Sequence, residues 1–263
     1  MKLKFLAKTI FLATATLFFV ACGGDEAKSQ NAFERIKKDG ILRVGTEGTY
    51  SPFSYHNEKD ELVGYDVDIA RAVGEKIGVK VEFVEAPWDA MLAAFDAGKS
   101  DVVFNQVTIN EDRMKKYDYT LPYTKSQSAL IVHKDNDDIK DFSDLKGKNS
   151  AHSATSNWAK LAENLGANIV TTDGFSKGVE LIITKRADAT INDDVTFYDY
   201  LKQKPDAPIK IVKNGDEAIL SAAIVKKGED DLVNAINNAI KELQNNGKIK
   251  EISIKYFGKD ISQ

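Results

Sequence analysis

A short pattern occurs twice in the chain, at residues 97–105 and 184–192. Each copy combines a helix end, a small or basic turn, an Asp, a short apolar strand and an Asn. In open α/β sheets, ligands bind at the carboxyl edge of such strands. Two edges of this kind in one chain predict two lobes that face each other across a cleft.

Charged residues follow both copies of the pattern. Arg113 comes after the first copy, and Asp193 directly follows the second. A cation and an anion on opposite walls of one cleft would suit a zwitterion. The two residues therefore indicate a receptor for a free amino acid.

Composition limits the classes of function. The 263 residues are enough for one large domain or for two lobes with separate cores. The hydrophobic fraction of 43% and the charged fraction of 29% are ordinary for a soluble globular protein. The net charge is −4 and basic residues form only short Lys pairs, which argues against nucleic-acid binding. His56, His133 and His152 are scattered along the chain, so we expect no metal site and no cofactor.

The first 21 residues are typical of a secretory signal. Lysines precede an apolar run at residues 10–20 that is too short for a comfortable transmembrane span. The single cysteine, Cys22, follows that run, and residues 19–22 (FVAC) resemble a bacterial lipobox with Phe19 in place of the usual Leu. We predict a signal peptide at 1–21 and a lipidated Cys22 that begins a flexible tether at 22–32. The alternative is a small buried Cys in a secreted protein.

Strands and helices alternate throughout, which predicts the α/β class. We place one lobe at residues 33–126 and 220–263 and the other at 127–219. The chain would cross between them near 125–126 and 220–221, and two adjacent crossings make a hinge. Helices are predicted at 33–38, 65–77, 88–97, 156–165, 175–184, 193–201, 230–243 and around 252–256, strands at 41–46, 80–84, 128–132 and 219–225, and a loop at 47–53.

Several segments resemble the family 3 periplasmic solute-binding proteins, in order and over nearly the whole mature chain. Residues 44–53 (VGTEGTYSPF) and 64–70 (GYDVDIA) resemble the opening of that family. The resemblance continues at 88–92 (WDAML), 105–109 (NQVTI), Arg113, 117–119 (YDY), 145–148 (LKGK) and 255–258 (KYFG). It implies the type II periplasmic-binding fold and a polar amino-acid receptor of an ABC importer. The WDAML and NQVTI segments look most like the cystine-binding branch.

The resemblance implies which residues hold the two ends of the ligand. Arg113 would bind the α-carboxylate, because a guanidinium holds a carboxylate through two parallel hydrogen bonds. The backbone of Thr108 and the free N–H groups of the helix start at Thr155 and Ser156 would join it. Asp193 would accept hydrogen bonds from the α-ammonium, with Asp194 as its rival.

The same resemblance implies the surroundings of the ligand side chain. They are two aromatic walls (Tyr50, Trp88), two neutral hydrogen-bonding residues on the floor (Asn105, Gln106), a second acceptor (Glu47), and Asn157, which faces the ligand or the lobe interface. Each assignment has a purely structural alternative. These are a surface ion pair of Arg113 with Glu111 or Asp112, N-capping by Asp193, Thr155 or Ser156, a solvated loop position for Glu47, and core packing for Tyr50 and Trp88.

We therefore expect a monomeric lipoprotein of the periplasm or cell envelope, anchored to the membrane through Cys22. It would capture L-cystine by lobe closure and deliver it to an ABC importer permease. L-cysteine and other neutral polar amino acids are alternative ligands. An enzyme resembling cyclohexadienyl dehydratase is the alternative class, which we do not favour because no cleft carboxylate or His beyond the assigned ligand-binding residues stands out as a catalytic acid or base.

Overall fold

The computed structural model describes residues 31–262, where helices and strands alternate. The predicted signal peptide, Cys22 and most of the predicted tether lie outside this range. The first half contains α1 (Ala32–Asp39), β1 (Ile41–Thr46), β2 (Thr49–Tyr50), β3 (Ser54–His56), β4 (Leu62–Val63), α2 (Tyr65–Ile77), β5 (Lys80–Glu85), α3 (Trp88–Asp96), β6 (Val102–Thr108), α4 (Glu111–Lys116) and β7 (Tyr117–Tyr119).

The second half begins with the long strand β8 (Thr124–His133), which a short 3₁₀ helix (Phe142–Leu145) follows. The remaining elements are β9 (Asn149–His152), α5 (Asn157–Asn164), β10 (Asn168–Thr171), α6 (Phe175–Ile183), β11 (Ala189–Asp193), α7 (Asp194–Gln203), β12 (Ile209–Lys226), α8 (Asp230–Asn245) and α9 (Lys248–Phe257). Within residues 31–262, no helix is both long and apolar enough to cross a membrane.

Nine of these strands form one sheet, whose order is β10-β9-β11-β8-β12-β6-β1-β5, with β7 pairing β12 beside this path. Strand β1 pairs in parallel with β5 and β6, and β9 pairs in parallel with β10 and β11. The long strands β8 and β12 are antiparallel to each other and to their other neighbours. Two parallel sets thus lie on either side of a central antiparallel pair, which confirms the predicted α/β class.

Apolar side chains form separate clusters on the two sides of the central pair. On one side, α8 buries Leu232, Ile236, Ile240 and Leu243 against β1 and α2, as its helical spacing predicts. On the other side, β8, α5 and β11 surround a cluster that includes Trp158. The predicted lobe boundaries near residues 126 and 220 fall inside β8 and β12, and they stay a prediction.

Two local predictions were wrong, and one was incomplete. The strand predicted at 219–225 is confirmed, but it is only the second part of β12, an 18-residue strand. Lys210, Lys213 and Asn214 break the apolar run in its first part, although β8 pairs with that part as well. Residues 49 and 50, predicted as loop, pair with β3. Asn105, predicted to end its strand, lies inside β6, since the chain stays paired with β12 as far as Thr108.

Candidate functional site

A pocket lies between the segments that follow β1 and β6 and the segments that follow β9, β10 and β11. Its walls enclose about 410 Å³, including the part that opens to solvent. The predicted residues that line it are Glu47, Tyr50, Trp88, Asn105, Gln106, Ser156, Asn157 and Asp193. Thr108, Arg113 and Thr155 lie outside this lining but are joined to it by the contacts described below.

Glu47 and Asn105 are two buried residues of the pocket lining that contact each other. Asn105 is fully buried, and its Nδ2 donates to Glu47 Oε2 at 2.7 Å. The Oδ1 of Asn105 accepts from the Glu47 backbone N–H at 2.8 Å and from the hydroxyls of Thr46 and Ser54. Burial raises the pKa of Glu47 to about 7, while the hydrogen bond from Asn105 opposes this shift. Glu47 is therefore not a solvated loop acid.

Tyr50 connects the two sides of the pocket. Its hydroxyl donates to Asn192 Oδ1 at 2.8 Å and lies 3.5 Å from Asp193 Oδ2 and 3.3 Å from Thr196 Oγ1. Its ring packs at 5.1 Å from the Phe53 ring, between centroids. Tyr50 thus belongs to the core and also lines the pocket.

Asp193 is an almost fully buried carboxylate on the opposite wall, with an exposed fraction of 2%. It occupies the N-cap position of α7, but its side chain makes no capping hydrogen bond. The hydroxyl of Ser126 donates to Asp193 Oδ1 at 2.5 Å, and within the described range no cation pairs with this carboxylate. Burial raises its pKa to about 6, and the neighbouring Asp194 adds to the rise. A cationic group in the pocket would stabilise its ionised form.

Arg113 lies on α4 at the edge of the pocket. Its guanidinium carbon stands 5.1 Å from the centroid of the Trp88 ring, in cation–π geometry. The guanidinium donates to the carbonyl of Thr108 at 3.2 Å, and to Asn157 Oδ1 and the carbonyl of Thr155 at 3.4 Å. In the part of the chain that the structure describes, Arg113 pairs with no carboxylate, and burial lowers its pKa.

The surface-pair alternative for Arg113 does not describe this arrangement, because Asp112 pairs with Lys115 instead. The backbone N–H of Arg113 donates to Asn110, the N-cap of α4. The hydrogen bond to Asn110 fixes the start of α4. The guanidinium of Arg113 then lies beside the pocket lining, in a position to bind an anion.

The start of α5 is held from across the pocket. Trp88 Nε1 donates to Thr155 Oγ1 at 2.9 Å. Asp89 accepts from the backbone N–H groups of Ala154 and Thr155 at 3.1 and 3.0 Å, and from the Thr155 hydroxyl at 2.5 Å. Ser156 caps α5 by accepting from the Trp158 N–H. The Thr155 N–H, predicted to meet a ligand carboxylate, is thus engaged by Asp89 in this structure.

Sequence reasoning missed part of the lining, namely Ser153, Gly174, Phe175 and Asn192. Asn192 occupies the same place in the second copy of the repeated pattern as Asn105 does in the first, and this symmetry could have identified it. Gly174 precedes α6 and donates its N–H to Ser153 Oγ, while the Phe175 ring lies 6.5 Å from the Tyr50 ring. No motif marks Gly174 or Phe175.

The histidines do not contribute to the pocket lining. His56 bonds Glu85 at the surface, and buried His152 bonds Ser150. Burial lowers the pKa of His152 to about 3, so this imidazole is neutral. Among residues 31–262, no group of three or more His, Cys, Asp and Glu side chains is placed to hold a metal ion.

Comparisons with known proteins agree with this geometry. The sequence model of the bacterial extracellular solute-binding proteins, family 3, matches residues 42–259. A probable amino-acid ABC transporter-binding protein of Haemophilus influenzae is 41% identical over 97% of this chain and 100% of that protein. The L-cystine-binding protein TcyA of Bacillus subtilis is 40% identical over 97% of each chain.

Two solved structures match the present fold to different degrees. An ancestral arginine-binding protein bound to glutamine has a TM-score of 0.79 at 37% identity, covering 84% of this chain and 99% of that one. The L-cystine solute receptor of Neisseria gonorrhoeae, unliganded and open, is 46% identical but has a TM-score of 0.58, covering 88% and 98%. The ligand-bound protein matches the overall shape better despite its lower identity. This agrees with the hydrogen bonds that cross the pocket here.

Proposed function

Because the chain belongs to family 3 of the bacterial extracellular solute-binding proteins, we propose that it captures L-cystine outside the cytoplasm and delivers it to the permease of an ABC importer. The observation that carries this proposal is the pairing of two unmatched charges at one pocket. Asp193 is buried in the lining without a cation, and Arg113 lies at the edge without a carboxylate, among the residues that the structure describes. An amino acid brings the missing partner for each.

The proposed binding mode follows from what each group can accept or donate. An α-ammonium beside Asp193 would neutralise a carboxylate whose burial otherwise disfavours its charge. An α-carboxylate beside Arg113 would receive two parallel N–H donors from the guanidinium. The aromatic faces of Tyr50 and Trp88 would exclude water from the rest of the ligand.

Lobe closure is the proposed route to capture, with residues 33–126 and 220–263 as one lobe and 127–219 as the other. Hydrogen bonds from Tyr50 to Asn192 and from Trp88 to Thr155 join these lobes in the present structure. A ligand that contacts both walls stabilises the closed form only through contacts that the open form lacks. The permease would then recognise the closed form.

L-cystine is the proposed ligand because TcyA, which is similar over 97% of both chains, is an L-cystine-binding protein. The L-cystine receptor of Neisseria gonorrhoeae supports the same choice at 46% identity. The pocket itself favours a neutral zwitterion over an acidic ligand, because Glu47 and Asp193 are both acceptors. L-cysteine and other neutral polar amino acids remain the alternatives that titration must separate.

The first test is calorimetric titration with L-cystine, L-cysteine and L-glutamine. Replacing Arg113 with Ala should weaken L-cystine binding by about 2–3 kcal/mol, the scale of a hydrogen-bonded charge pair, and Arg113→Lys should recover only part of it. Lys115→Ala is the matched control, because Lys115 lies on the same helix and pairs with Asp112 at the surface. An Arg113→Ala protein that binds as tightly as the wild type would refute the assigned role.

An enzymatic role is the second class to test. Glu47 and Asp193 line the pocket with raised pKa values, a property that catalytic acids share with buried binding groups. We propose binding without turnover, because both carboxylates already have roles in holding the pocket and a cationic ligand group. Incubation with prephenate or arogenate should leave both compounds unchanged, and product formation would replace this proposal with an enzymatic one.

We also propose that the mature protein is a monomer anchored to the membrane through a lipid on Cys22, in the periplasm or cell envelope. The proposal is based on the apolar run at 10–20 and on the segment FVAC at 19–22. Mass spectrometry of the membrane-extracted protein should find a lipidated Cys22 at its N-terminus. An unmodified Cys22 inside a longer chain would exclude the anchor.

A further inference from the structure

Gln106 has an unusual backbone conformation for a residue inside a buried strand. Its φ is +50°, in the left-handed region that favours glycine, and it lies within β6. Asp60 and Lys185 also have positive φ, but both lie outside the strands and helices, on the exposed surface. Strain of this kind persists only where the surroundings enforce it, and it is concentrated at functional sites.

The surroundings that hold Gln106 centre on Asp66, a fully buried residue in the first turn of α2. One oxygen of Asp66 accepts from the backbone N–H of Gln106 at 2.8 Å, and the other accepts from Gln106 Nε2 at 2.7 Å. Nε2 also donates to Thr124 Oγ1 at 3.0 Å. Both N–H groups of the side-chain amide are thereby used. Burial raises the pKa of Asp66 to about 7, while the hydrogen bonds from Gln106 oppose this shift, and the ionised carboxylate can only accept. Above that pH, Asp66 therefore fixes which end of the amide is the nitrogen.

The other end of the amide lacks a partner. Gln106 Oε1 is buried and accepts no hydrogen bond from the residues that the structure describes. Gln106 itself is 5% exposed and lines the pocket together with Glu47 and Asp193. A buried acceptor without a donor costs free energy that a ligand N–H group would recover.

We infer that Gln106 Oε1 accepts a hydrogen bond from an N–H group of the bound amino acid, and that Asp66 is a positioning residue that keeps this acceptor available. The inference rests on the proposed function and extends it to selectivity. A ligand that places an ammonium or amide N–H against Gln106 is favoured. A ligand that places a carboxylate against Gln106 Oε1 meets an acceptor where it needs a donor, so acidic amino acids are disfavoured.

Gln106→Gly separates the binding role from the structural one. Glycine suits φ +50°, but the change also removes the donor to Asp66 Oδ1 and Thr124 Oγ1, so the melting temperature should fall by only a few degrees and the fold should be retained. Affinity for L-cystine should fall at least about tenfold, as for the loss of one hydrogen bond to a charged group. Unchanged affinity would overturn the inference and would mean that an internal water or the protein alone accounts for Gln106.

Asp66→Asn tests the positioning role. An Asn side chain can donate, so the amide of Gln106 can turn and present its nitrogen to the pocket. The ratio of L-cystine to L-glutamate affinity, measured by competition, should shrink about tenfold relative to the wild type. If Asp66 is purely structural, the change should weaken the binding of both ligands equally. An unchanged affinity ratio would therefore contradict the inference.

Asp68→Asn is the matched control, because Asp68 lies on the same helix and bonds Lys255 and Tyr256 instead of Gln106. Its ligand ratio should equal that of the wild type. If Asp66→Asn does not fold, Gln106→Gly still decides the question. A wild-type protein that binds no amino acid would refute the proposed function. A wild-type protein that binds while Gln106→Gly binds equally well would refute only this inference.

Discussion

Asn105 and Asn192 occupy equivalent places in the repeated pattern, but their side chains form hydrogen bonds to different parts of the pocket. Asn105 is fully buried and makes all its hydrogen bonds to its own wall, to Thr46, Glu47 and Ser54. Asn192 accepts from the hydroxyl of Tyr50, which belongs to the opposite wall. The first asparagine organises one side of the pocket, and the second joins the two sides.

The difference shows that a repeated motif predicts a position better than a role. Asn105 contacts the backbone and carboxylate of Glu47: its Oδ1 accepts from the Glu47 N–H, and its Nδ2 donates one of its two hydrogens to the carboxylate. These hydrogen bonds stay within one wall of the pocket. Asn192 has one contact within its own segment, the N–H of Asp193, so its oxygen can also serve the opposite wall. If the lobes close as proposed, closure would leave the hydrogen bonds of Asn105 unchanged and would complete those of Asn192.

The largest expected effect comes from Asn105→Ala. This change leaves the Glu47 N–H, two hydroxyls and a buried carboxylate without their partner, and unsatisfied buried groups each cost about 1–3 kcal/mol. We expect the free energy of unfolding in denaturant to fall by about 3 kcal/mol in the ligand-free protein. Asn192→Ala should lower it by no more than about 1 kcal/mol while weakening L-cystine binding several-fold, because its cross-pocket bond exists only when the walls meet.

Equal losses of stability for the two variants would break the comparison, since both asparagines would then be structural in the same sense. Asn214→Ala provides a control for the removal of an amide from the sheet, because Asn214 pairs with Ala129 away from the pocket. We expect it to leave the affinity for L-cystine unchanged.

Much of the fold could be predicted because its signals are local. Gly78 follows α2 with φ +78°, and α2 begins and ends where the apolar spacing and this glycine predict. The extent of β12 could not be predicted, because its first part is stabilised by pairing with β8 and carries polar side chains such as Lys210 and Asn214. Pairing between distant strands leaves little trace in such a segment.

A second comparison of the two walls concerns pH. Burial raises the pKa of Glu47 to about 7 on one wall and that of Asp193 to about 6 on the other. A ligand ammonium favours the ionised forms, so affinity should increase about tenfold as the pH rises from 5 to 8. Binding near pH 6 should release protons, which calorimetry in buffers of different ionisation enthalpy would detect.

Glu47→Gln separates the contributions of the two carboxylates. It should remove the increase in affinity near pH 7 and leave the increase near pH 6 that is due to Asp193.

The stability of the ligand-free protein should change with pH in the opposite direction. A pKa raised in the folded state means that this state retains a proton that the unfolded chain loses. The free energy of unfolding should therefore fall from about pH 4.5 towards pH 7. Affinity that is constant between pH 5 and 8 would contradict the roles of both carboxylates.

Residues of the candidate site could be predicted only where the charge of the side chain itself suggests what it binds. Arg113 and Asp193 were predicted to bind the ligand because a cation and an anion on opposite walls of a cleft suit a zwitterion, and these roles stay predictions. The engagement of Asp89 with Ala154 and Thr155 depends on two segments about 65 residues apart, and nothing in either segment predicts it. Contacts between the walls of a pocket are a property of the folded chain, and a single sequence records them weakly.

The smallest expected effect concerns that contact. Asp89 lies on α3 and accepts three hydrogen bonds from the segment before α5, so it ties the two walls together without lining the pocket. In Asp89→Asn, the side-chain amide would keep one acceptor oxygen but would lose the negative charge. Its NH₂ group would face the N–H and hydroxyl donors of residues 154 and 155. Because these groups are exposed, the change should accelerate L-cystine release only about threefold in stopped-flow measurements and alter the unfolding free energy by less than about 0.5 kcal/mol.

Asp112→Asn is the control, since Asp112 is an exposed carboxylate whose described ion-pair partner is Lys115, and its release rate should match the wild type. The ratio of L-cystine to L-cysteine affinity should be the same in Asp89→Asn and in the wild type, because a contact that acts only on closure affects every ligand alike. A changed ratio would place Asp89 in contact with the ligand. In that case a group of the ligand would bind the N–H groups of Ala154 and Thr155, which Asp89 binds in the present structure.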